Sequence, residues 1–340
     1  MYFPDKELSS VIDYFRMTFK RHDIDTFFEE VMQMNIDAML REPSAKYGYV
    51  EKFELDQIRV YLSAPGDERG IMIELGGQGC RQFESVLEAQ KRSWEVFLRK
   101  ARTERGKATR VDIAVDDLKG YIDIPDCLYF TQAGYVSSRI DAYNFNGTGQ
   151  IGTENVQGVS IYFGSKQSNI YFTMYQKNYE QAKKNKISAE EYGIWNRYEI
   201  RLADEKAEEA VTEILRRNNI GEIGRGILKG YIDFCFDEDL KVGKRKLKKL
   251  VKGWNLLLDD VAPLKLSLKP SDSFYLKTEN WLKRQAGGVM KMVTLADGTL
   301  GKESTIDEII STAELTPRQM HMLKTWVGTV QDFVFQPYTN

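Results

Sequence analysis

Three short segments of the chain place acids, cations and a tyrosine at alternate positions. In Arg110-Val-Asp-Ile-Ala-Val-Asp116, the residues Val111, Ile113 and Val115 alternate with Arg110, Asp112, Ala114 and Asp116. From Ile170 to Lys177, Phe172 and Met174 alternate with Tyr171, Thr173, Tyr175 and Lys177. From Arg197 to Leu202, Tyr198, Ile200 and Leu202 alternate with Arg197, Glu199 and Arg201. A β-strand sends successive side chains to opposite faces, so each segment, as a strand, has one apolar and one charged face. If the strands share a sheet, the charged face gathers Asp112, Asp116 and Glu199 with several cations and Tyr175. Carboxylates are hard oxygen ligands of the kind that suits Mg²⁺ or Mn²⁺. A divalent ion facing a tyrosine suits phosphoryl transfer: the ion neutralises the phosphate while the phenolate attacks in line. A free phenol titrates near about 10, so Tyr175 needs a neighbouring cation to act as a nucleophile. Lys177, Lys166 and Arg201 are the candidates. The same alternation also describes a wet antiparallel face held by Arg–Glu cross-strand pairs, and pattern alone leaves both readings open.

His22 and His321 are the two histidines of the chain. A cluster of three metal-binding histidines is therefore excluded within one chain, and carboxylates must hold most of any metal. His22 sits beside a helix start, as a surface or capping residue would. Gly147-Thr-Gly-Gln-Ile-Gly152 matches G-x-G-x-x-G but runs on toward another strand, with no acid near position 172. It is expected to be a glycine-rich hairpin connection, not a dinucleotide loop. Gly76-Gly-Gln-Gly79 lacks the Lys-Ser/Thr of a P-loop. Cys80, Cys127 and Cys235 are scattered and odd in number, as expected of reduced thiols.

The 340 residues suggest two domains, placed at 1–220 and 221–340. With 42% apolar and 29% charged residues the chain can bury a sizeable core. No apolar run is long enough to span a bilayer, and the first ten residues lack a signal peptide's pattern, so a cytoplasmic protein without membrane insertion is expected. The net charge of −2 does not advertise a nucleic-acid binder, so DNA contact must come from local patches. Lys241 to Lys252, KVGKRKLKKLVK, is one such patch. Leu247, Leu250, Val251 and Trp254 fall at helical spacing, which predicts a helix offering Lys246, Lys248 and Lys249 to solvent or phosphate. A second basic cluster runs from Arg99 through Lys100, Arg102, Arg105 and Lys107 to Arg110.

Around these residues the hydrophobic periods predict a strand over 11–19, a helix from Ile24, and strands near 48–62 and 70–76. One helix is expected to carry Phe83, Leu87, Trp94, Phe97 and Ala101. Strands follow at 109–116, 137–145, 158–164, 169–176 and 195–202, with a charged, mobile connection over 180–193. A helix follows over about 203–217. Asn218 to Arg225 has the composition of a boundary, and the remainder is expected to be mostly helical. Thr316-Pro-Arg-Gln319 has the spacing of a capping box.

Six motifs in order resemble the replication initiation factors of the Rep-trans type, which include rolling-circle plasmid initiators and MobT-class relaxases. They are Ile12-Asp-Tyr-Phe-Arg-Met-Thr-Phe19, Gly76-Gly-Gln-Gly-Cys-Arg-Gln-Phe-Glu84, Arg110-Val-Asp-Ile-Ala-Val-Asp-Asp117, Tyr162-Phe-Gly-Ser-Lys-Gln-Ser-Asn169, Met174-Tyr-Gln-Lys177 and Trp195-Asn-Arg-Tyr-Glu-Ile-Arg201. The resemblance covers roughly residues 11 to 290. It implies an α+β fold, an antiparallel palm-like sheet with flanking helices followed by a smaller, mostly helical C-terminal region.

The resemblance also implies Tyr175 as nucleophile, Asp112 and Glu199 as the first metal ligands with Asp116 third, and Arg197 and Lys177 on phosphate. Tyr179 and Tyr171 are the rival nucleophiles. Lys166, Arg201, Arg110, Lys246, Lys248 and Lys249 are expected to contact DNA. The implied substrate is single-stranded or supercoiled origin DNA, with Mg²⁺ or Mn²⁺ as cofactor. A helicase acting from the exposed 3′-OH and an accessory loading protein are the expected partners, and a homodimer stays open. The segment Trp281 to Lys291 favours the relaxases over the compact plasmid initiators. Many relatives carry a helix-turn-helix before the first strand. There is no room for one before Val11, which leaves the source of origin recognition open. A hydrolytic metal nuclease and a non-catalytic origin binder are the other readings.

Overall fold

The computed structural model describes residues 7–44, 46–149, 151, 156–242, 245–258, 279, 282–317, 319–320 and 323. Its centre is a long antiparallel pair. Strand β1 (Leu8–Phe19) lies against β6 (Lys107–Asp117), both too long to be satisfied by one short neighbour. On one side β1 pairs with β5 (Ile71–Gly76), followed outward by β4 (Ile58–Leu62), β3 (Glu51–Leu55) and β2 (Leu40–Pro43). On the other side β6 pairs with β11 (Asn196–Ala203), then β10 (Ile170–Gln176), β9 (Val156–Phe163) and β8 (Tyr143–Gly149). The result is a ten-stranded sheet in which every pairing is antiparallel.

One face of this sheet is apolar, as the alternation predicts. Phe15 and Met17, Ile113 and Val115, Phe172 and Met174, and Tyr198 and Ile200 all join one buried cluster. The helices that cover it are α2 (Gly77–Ala89), α3 (Trp94–Thr103), α6 (Glu205–Arg217) and α7 (Ile220–Tyr231). The other helices up to this point are α1 (Ile24–Phe27), α4 (Ile124–Gln132) and α5 (Lys177–Asn185). In α7 a Cβ at Gly224 would lie 3.0 Å from Ile113 and 3.3 Å from Val115, so glycine lets this helix settle onto β6. Asn218–Arg225 thus opens a helix that packs on the sheet. The core cluster continues beyond it through Phe234 and Trp254 to Leu258.

Several local expectations are corrected. The stretch 48–62 is a hairpin, β3 and β4, turning at Asp56, which has φ 51. The apolar residues from Phe83 to Ala101 are shared by two helices, because Lys91 adopts φ 55 and Ser93 caps a new start. The stretch 137–145 divides between β8 and a separate strand, β7 (Val136–Ser138). The charged connection after Tyr175 is the helix α5 and a short 3₁₀ turn at Glu190–Tyr192. Ala182 and Tyr192 tuck against Trp195, which is the apolar contact that orders it.

The basic run is not a helix. β12 (Ile232–Val242) and β13 (Arg245–Leu250) pair antiparallel, with Val242 opposite Arg245 and Cys235 opposite Leu250, and β7 completes this second sheet. An available partner strand overrides the weak helical preference of lysine and leucine. Helix begins only at α8 (Lys252–Leu258), where Trp254 packs on Phe234 with ring centroids 4.9 Å apart. Two further helices, α9 (Gly287–Leu300) and α10 (Thr305–Thr312), follow. Thr316 and Gln319 form the expected reciprocal cap, the Thr316 amide donating to Gln319 Oε1 and the Gln319 amide to Thr316 Oγ1. Cys80, Cys127 and Cys235 are buried, and no disulfide joins them. Among the described residues no helix is long and apolar enough to cross a membrane.

Candidate active site

Cross-strand register on the polar face of the sheet places the predicted residues in rows. Tyr175 of β10 stands opposite Arg197 of β11, which stands opposite Asp116 of β6. The next row is Thr173, Glu199 and Ala114, and the next Tyr171, Arg201 and Asp112. Directly opposed side chains in an antiparallel sheet share a face and lie within reach of each other. The three segments therefore bring these residues together on one face of the sheet.

Tyr175 donates its hydroxyl hydrogen to Glu199 Oε1 at 2.7 Å. The Tyr175 hydroxyl oxygen in turn accepts from Lys177 Nζ at 2.9 Å. Lys177 reaches it from a place the alternation did not predict: it is the first residue of α5, and its amide bonds to the Trp195 carbonyl at 2.7 Å. Its ammonium also pairs with Glu180 at 2.7 Å. Burial pushes the Tyr175 phenol well above its ordinary pKa. Arg197 pulls it back, while the charges of Glu199 and Glu180 push it further up. The resting hydroxyl is therefore protonated and already directed at a carboxylate.

Arg197 is 3% exposed and grips Asp116 with two bonds, Nε to Oδ1 at 2.6 Å and Nη2 to Oδ2 at 2.7 Å. Trp195 Nε1 also donates to Asp116 Oδ1 at 2.6 Å. Asp116 is 0% exposed, and its two oxygens are turned to these donors. Burial disfavours the guanidinium charge, but Asp116 and Asp13 outweigh it and keep Arg197 firmly protonated.

Asp13 was not among the candidates from the alternation. It lies at a β-bulge, where pairing between β1 and β6 shifts between Ile12 and Tyr14. Arg81 of α2 donates Nη2 to the Ile12 carbonyl there. The bulge turns the Asp13 carboxylate to Arg197 Nη1, at 3.2 Å, while Glu199 lies 3.9 Å from the same nitrogen. A hint was present in the sequence: Val11 and Ile12 are followed by Asp13 and Tyr14, a doublet that breaks a period of two as bulges do.

The remaining predicted residues divide. Asp112 is paired by both oxygens with Arg110, at 2.8 and 2.5 Å, and lies 4.0 Å from Arg201. Arg110 covers the Tyr14 ring at 3.9 Å, and Arg201 covers the Tyr171 ring at 5.4 Å. Lys166 and Arg201 border a groove of about 630 Å³ that opens onto Tyr175. Lys246, Lys248 and Lys249 lie on β13, in the smaller sheet and not in the sheet that carries the site. Of the rival tyrosines, Tyr179 lies on α5 and borders the same groove, and Tyr171 is 6% exposed beneath Arg201.

Among the described residues no three His, Cys, Asp or Glu side chains stand ready-made as a metal cage. The donor chemistry nevertheless suits a hard dication. Burial raises Glu199, and the charge of Asp13 raises it further against the pull of Arg197. Burial also raises Asp112, opposed by Arg110 and Arg201, and Asp13 again adds to the rise. Asp13 itself is held low because Arg197, Arg81 and Lys177 outweigh its burial. Glu199 and Asp112 thus both feel the charge of Asp13, and a divalent cation relieves carboxylates so placed.

Residues 106–310 match the replication initiation factor family, and residues 9–100 match the N-terminal domain of rolling-circle replication initiation proteins. The chain is 41% identical over 330 residues to the inferred DNA relaxase NicK of Bacillus subtilis (strain 168), covering 97% of this chain and 93% of that protein. Its fold is similar to the solved rolling-circle replication initiator protein from Geobacillus stearothermophilus, with a TM-score of 0.65 and 28% identity over 77% of this chain and 99% of the other. With more than half of its length matched by the family and nearly all of it by a relative, the chain belongs to the replication initiation factor family.

Proposed function

We propose that this DNA-nicking enzyme, of the relaxase and rolling-circle initiator class, cuts one origin strand through attack by Tyr175. The Tyr175 oxygen bonds to the scissile phosphorus and the bond to the 3′ oxygen breaks. The products are a 5′-phosphotyrosyl enzyme and a 3′-OH, which takes its proton from solvent. The phenolic proton passes to Glu199, and Lys177 stabilises the oxygen that loses it. Arg197, fixed by Asp116 and Trp195, offers charge to the phosphate. The linkage conserves the phosphodiester, so the same residues rejoin the strand without ATP. The observation that carries this reading is the Tyr175 hydroxyl held between a proton acceptor and a cation, at 2.7 and 2.9 Å.

Asp13 and Asp112, with Glu199 shared, would hold Mg²⁺ or Mn²⁺, whose chemistry here is to neutralise the phosphate oxygens. EDTA is expected to stop cleavage and either ion to restore it. Glu199→Gln is expected to slow adduct formation about 10²–10⁴-fold while single-strand affinity changes little, because its charge acts as the proton leaves. Undiminished cleavage in EDTA would return the carboxylates to ion pairing with Arg110 and Arg197.

A labelled single strand separates three readings. A covalent adduct supports Tyr175 chemistry, a free cut product indicates hydrolysis, and a shifted but intact band indicates binding alone. The 41% identity to an inferred relaxase, extending over 97% of the chain, supports service in transfer of a mobile element over plasmid initiation. A helicase loaded at the exposed 3′-OH side and an accessory loading protein complete this proposal. Changing Lys246, Lys248 and Lys249 together to Gln is expected to lower the salt slope of single-strand binding by about 2, since each lost phosphate contact removes about 0.7. An unchanged slope would leave β13 without a role in DNA binding.

A further inference from the structure

Strand β8 is the edge of the large sheet, and all seven of its residues are exposed. Its sequence, Tyr-Asn-Phe-Asn-Gly-Thr-Gly, is poor in strand-forming residues apart from its rings, and asparagine and glycine disfavour strands. Register puts Asn144 opposite Tyr162 and Asn146 opposite Ser160, and Tyr162 and Ser160 stand opposite Thr173 and Tyr175. The two asparagines therefore share the face that carries the nucleophile. Neither amide has a side-chain partner among the described residues.

The groove that opens on Tyr175 is walled on this side by Thr148, Ser160, Tyr162 and Thr173, which are neutral hydrogen-bonding groups and one ring. Lys166, Lys183 and Arg201 supply positive charge along it. Its two acids, Glu180 and Glu199, stand at the Tyr175 end, engaged with Lys177 and Tyr175. The Tyr162 ring lies nearly parallel to that of Tyr171, 21° between planes and 6.3 Å between centroids, and Arg201 covers Tyr171 in turn. Tyr162 is thus backed by a layered support and half-buried.

We infer that Asn144, Asn146 and Tyr162 form the surface that reads bases of the single strand beside the nick. A base stacks on Tyr162, and the two amides hydrogen bond to base edges. This rests on the proposed attack by Tyr175, because a strand held there continues into the groove. Two strand spacings separate β10 from β8, about 10 Å, so the bases read lie within about three nucleotides of the scissile phosphate. An aromatic platform with unpaired amides beside it suits an unpaired strand, whose bases expose their faces and edges.

The test uses a single strand enriched from a random pool on the full-length wild-type protein, together with a scrambled strand of the same composition. Fluorescence anisotropy gives the ratio of the two dissociation constants. Asn144→Ala/Asn146→Ala and Tyr162→Leu are each expected to cut that ratio about tenfold or more, and Tyr162→Phe to keep it. A ratio within twofold of wild type in both the double variant and Tyr162→Leu overturns the inference, as does a wild-type ratio near one. A wild type that forms no adduct on the enriched strand defeats the nucleophile reading instead. An adduct with an unchanged ratio defeats only the reading surface.

Discussion

Tyr175→Phe is expected to leave a folded protein that binds the origin strand and forms no covalent adduct. The substitution removes one oxygen and keeps the ring, so the groove wall hardly changes. What disappears is the atom that Lys177 and Glu199 share. Loss of an attacking oxygen leaves only positioning and charge stabilisation, so the rate should fall by at least about 10⁴-fold. The folded state loses two hydrogen bonds to charged groups, about 1.5–3 kcal/mol each, partly offset because a buried phenol no longer needs partners. Tyr179→Phe and Tyr171→Phe should retain the adduct. Tyr179 borders the groove but starts from α5, and Tyr171 lies under Arg201 with Thr173 between it and the Glu199 contact in the strand. Denaturing gels of a labelled strand, with mass spectrometry of the linked peptide, give the result directly. An adduct that survives in Tyr175→Phe and vanishes in Tyr179→Phe would move the nucleophile onto the helix.

The large sheet was legible because alternation is a local property. Any strand with Val111, Ile113 and Val115 on one side must put Asp112 and Asp116 on the other, whatever its neighbours are. The same holds for Tyr175 on β10 and Glu199 on β11, so the polar face of each of the three strands could be read before any pairing was known. Asp13 was hidden by the same logic, since a bulge takes one residue out of the period and only the partner strand shows which one. Lys177 was placed on a strand because the periodicity gives no signal where β10 hands over to α5. The basic run failed for a different reason. Leu247, Leu250, Val251 and Trp254 fit a helical period by coincidence, across the junction between β13 and α8. Which period wins there depends on β12, whose pairing is tertiary information. Asp116 shows the last kind of gap. The residue type and face were correct, but the burial that commits both its oxygens to Arg197 and Trp195 comes from the packing of Trp195 against Ala182 and Tyr192.

Arg197→Met is expected to be the most destabilising single change in the site, by about 3–5 kcal/mol. It strands Asp116, which is wholly buried, and removes the cation facing Asp13 and Glu199. Asp116→Asn should cost less, because Arg197 keeps Asp13 at 3.2 Å and the amide oxygen can still accept from one donor. The double change Asp116→Leu/Arg197→Met removes the buried pair together. It should unfold at a higher urea concentration than Arg197→Met alone, with a coupling of about 1–3 kcal/mol in the double-mutant cycle. Full recovery is not expected, since Asp13 and Glu199 still lack their counter-charge and Trp195 loses the acceptor for its indole hydrogen. The nicking rate separates structure from chemistry. If Arg197 only held the sheet together, the double variant would regain activity along with stability. If Arg197 also meets the scissile phosphate, the double variant regains stability and stays inactive, with single-strand affinity reduced and Tyr175 intact. The second pattern is expected, because the Arg197 guanidinium binds Asp116 on one side and faces Asp13 and Glu199 on the other. Strictly additive single costs would mean that the pair is not the fastening that fixes Arg197 in the site.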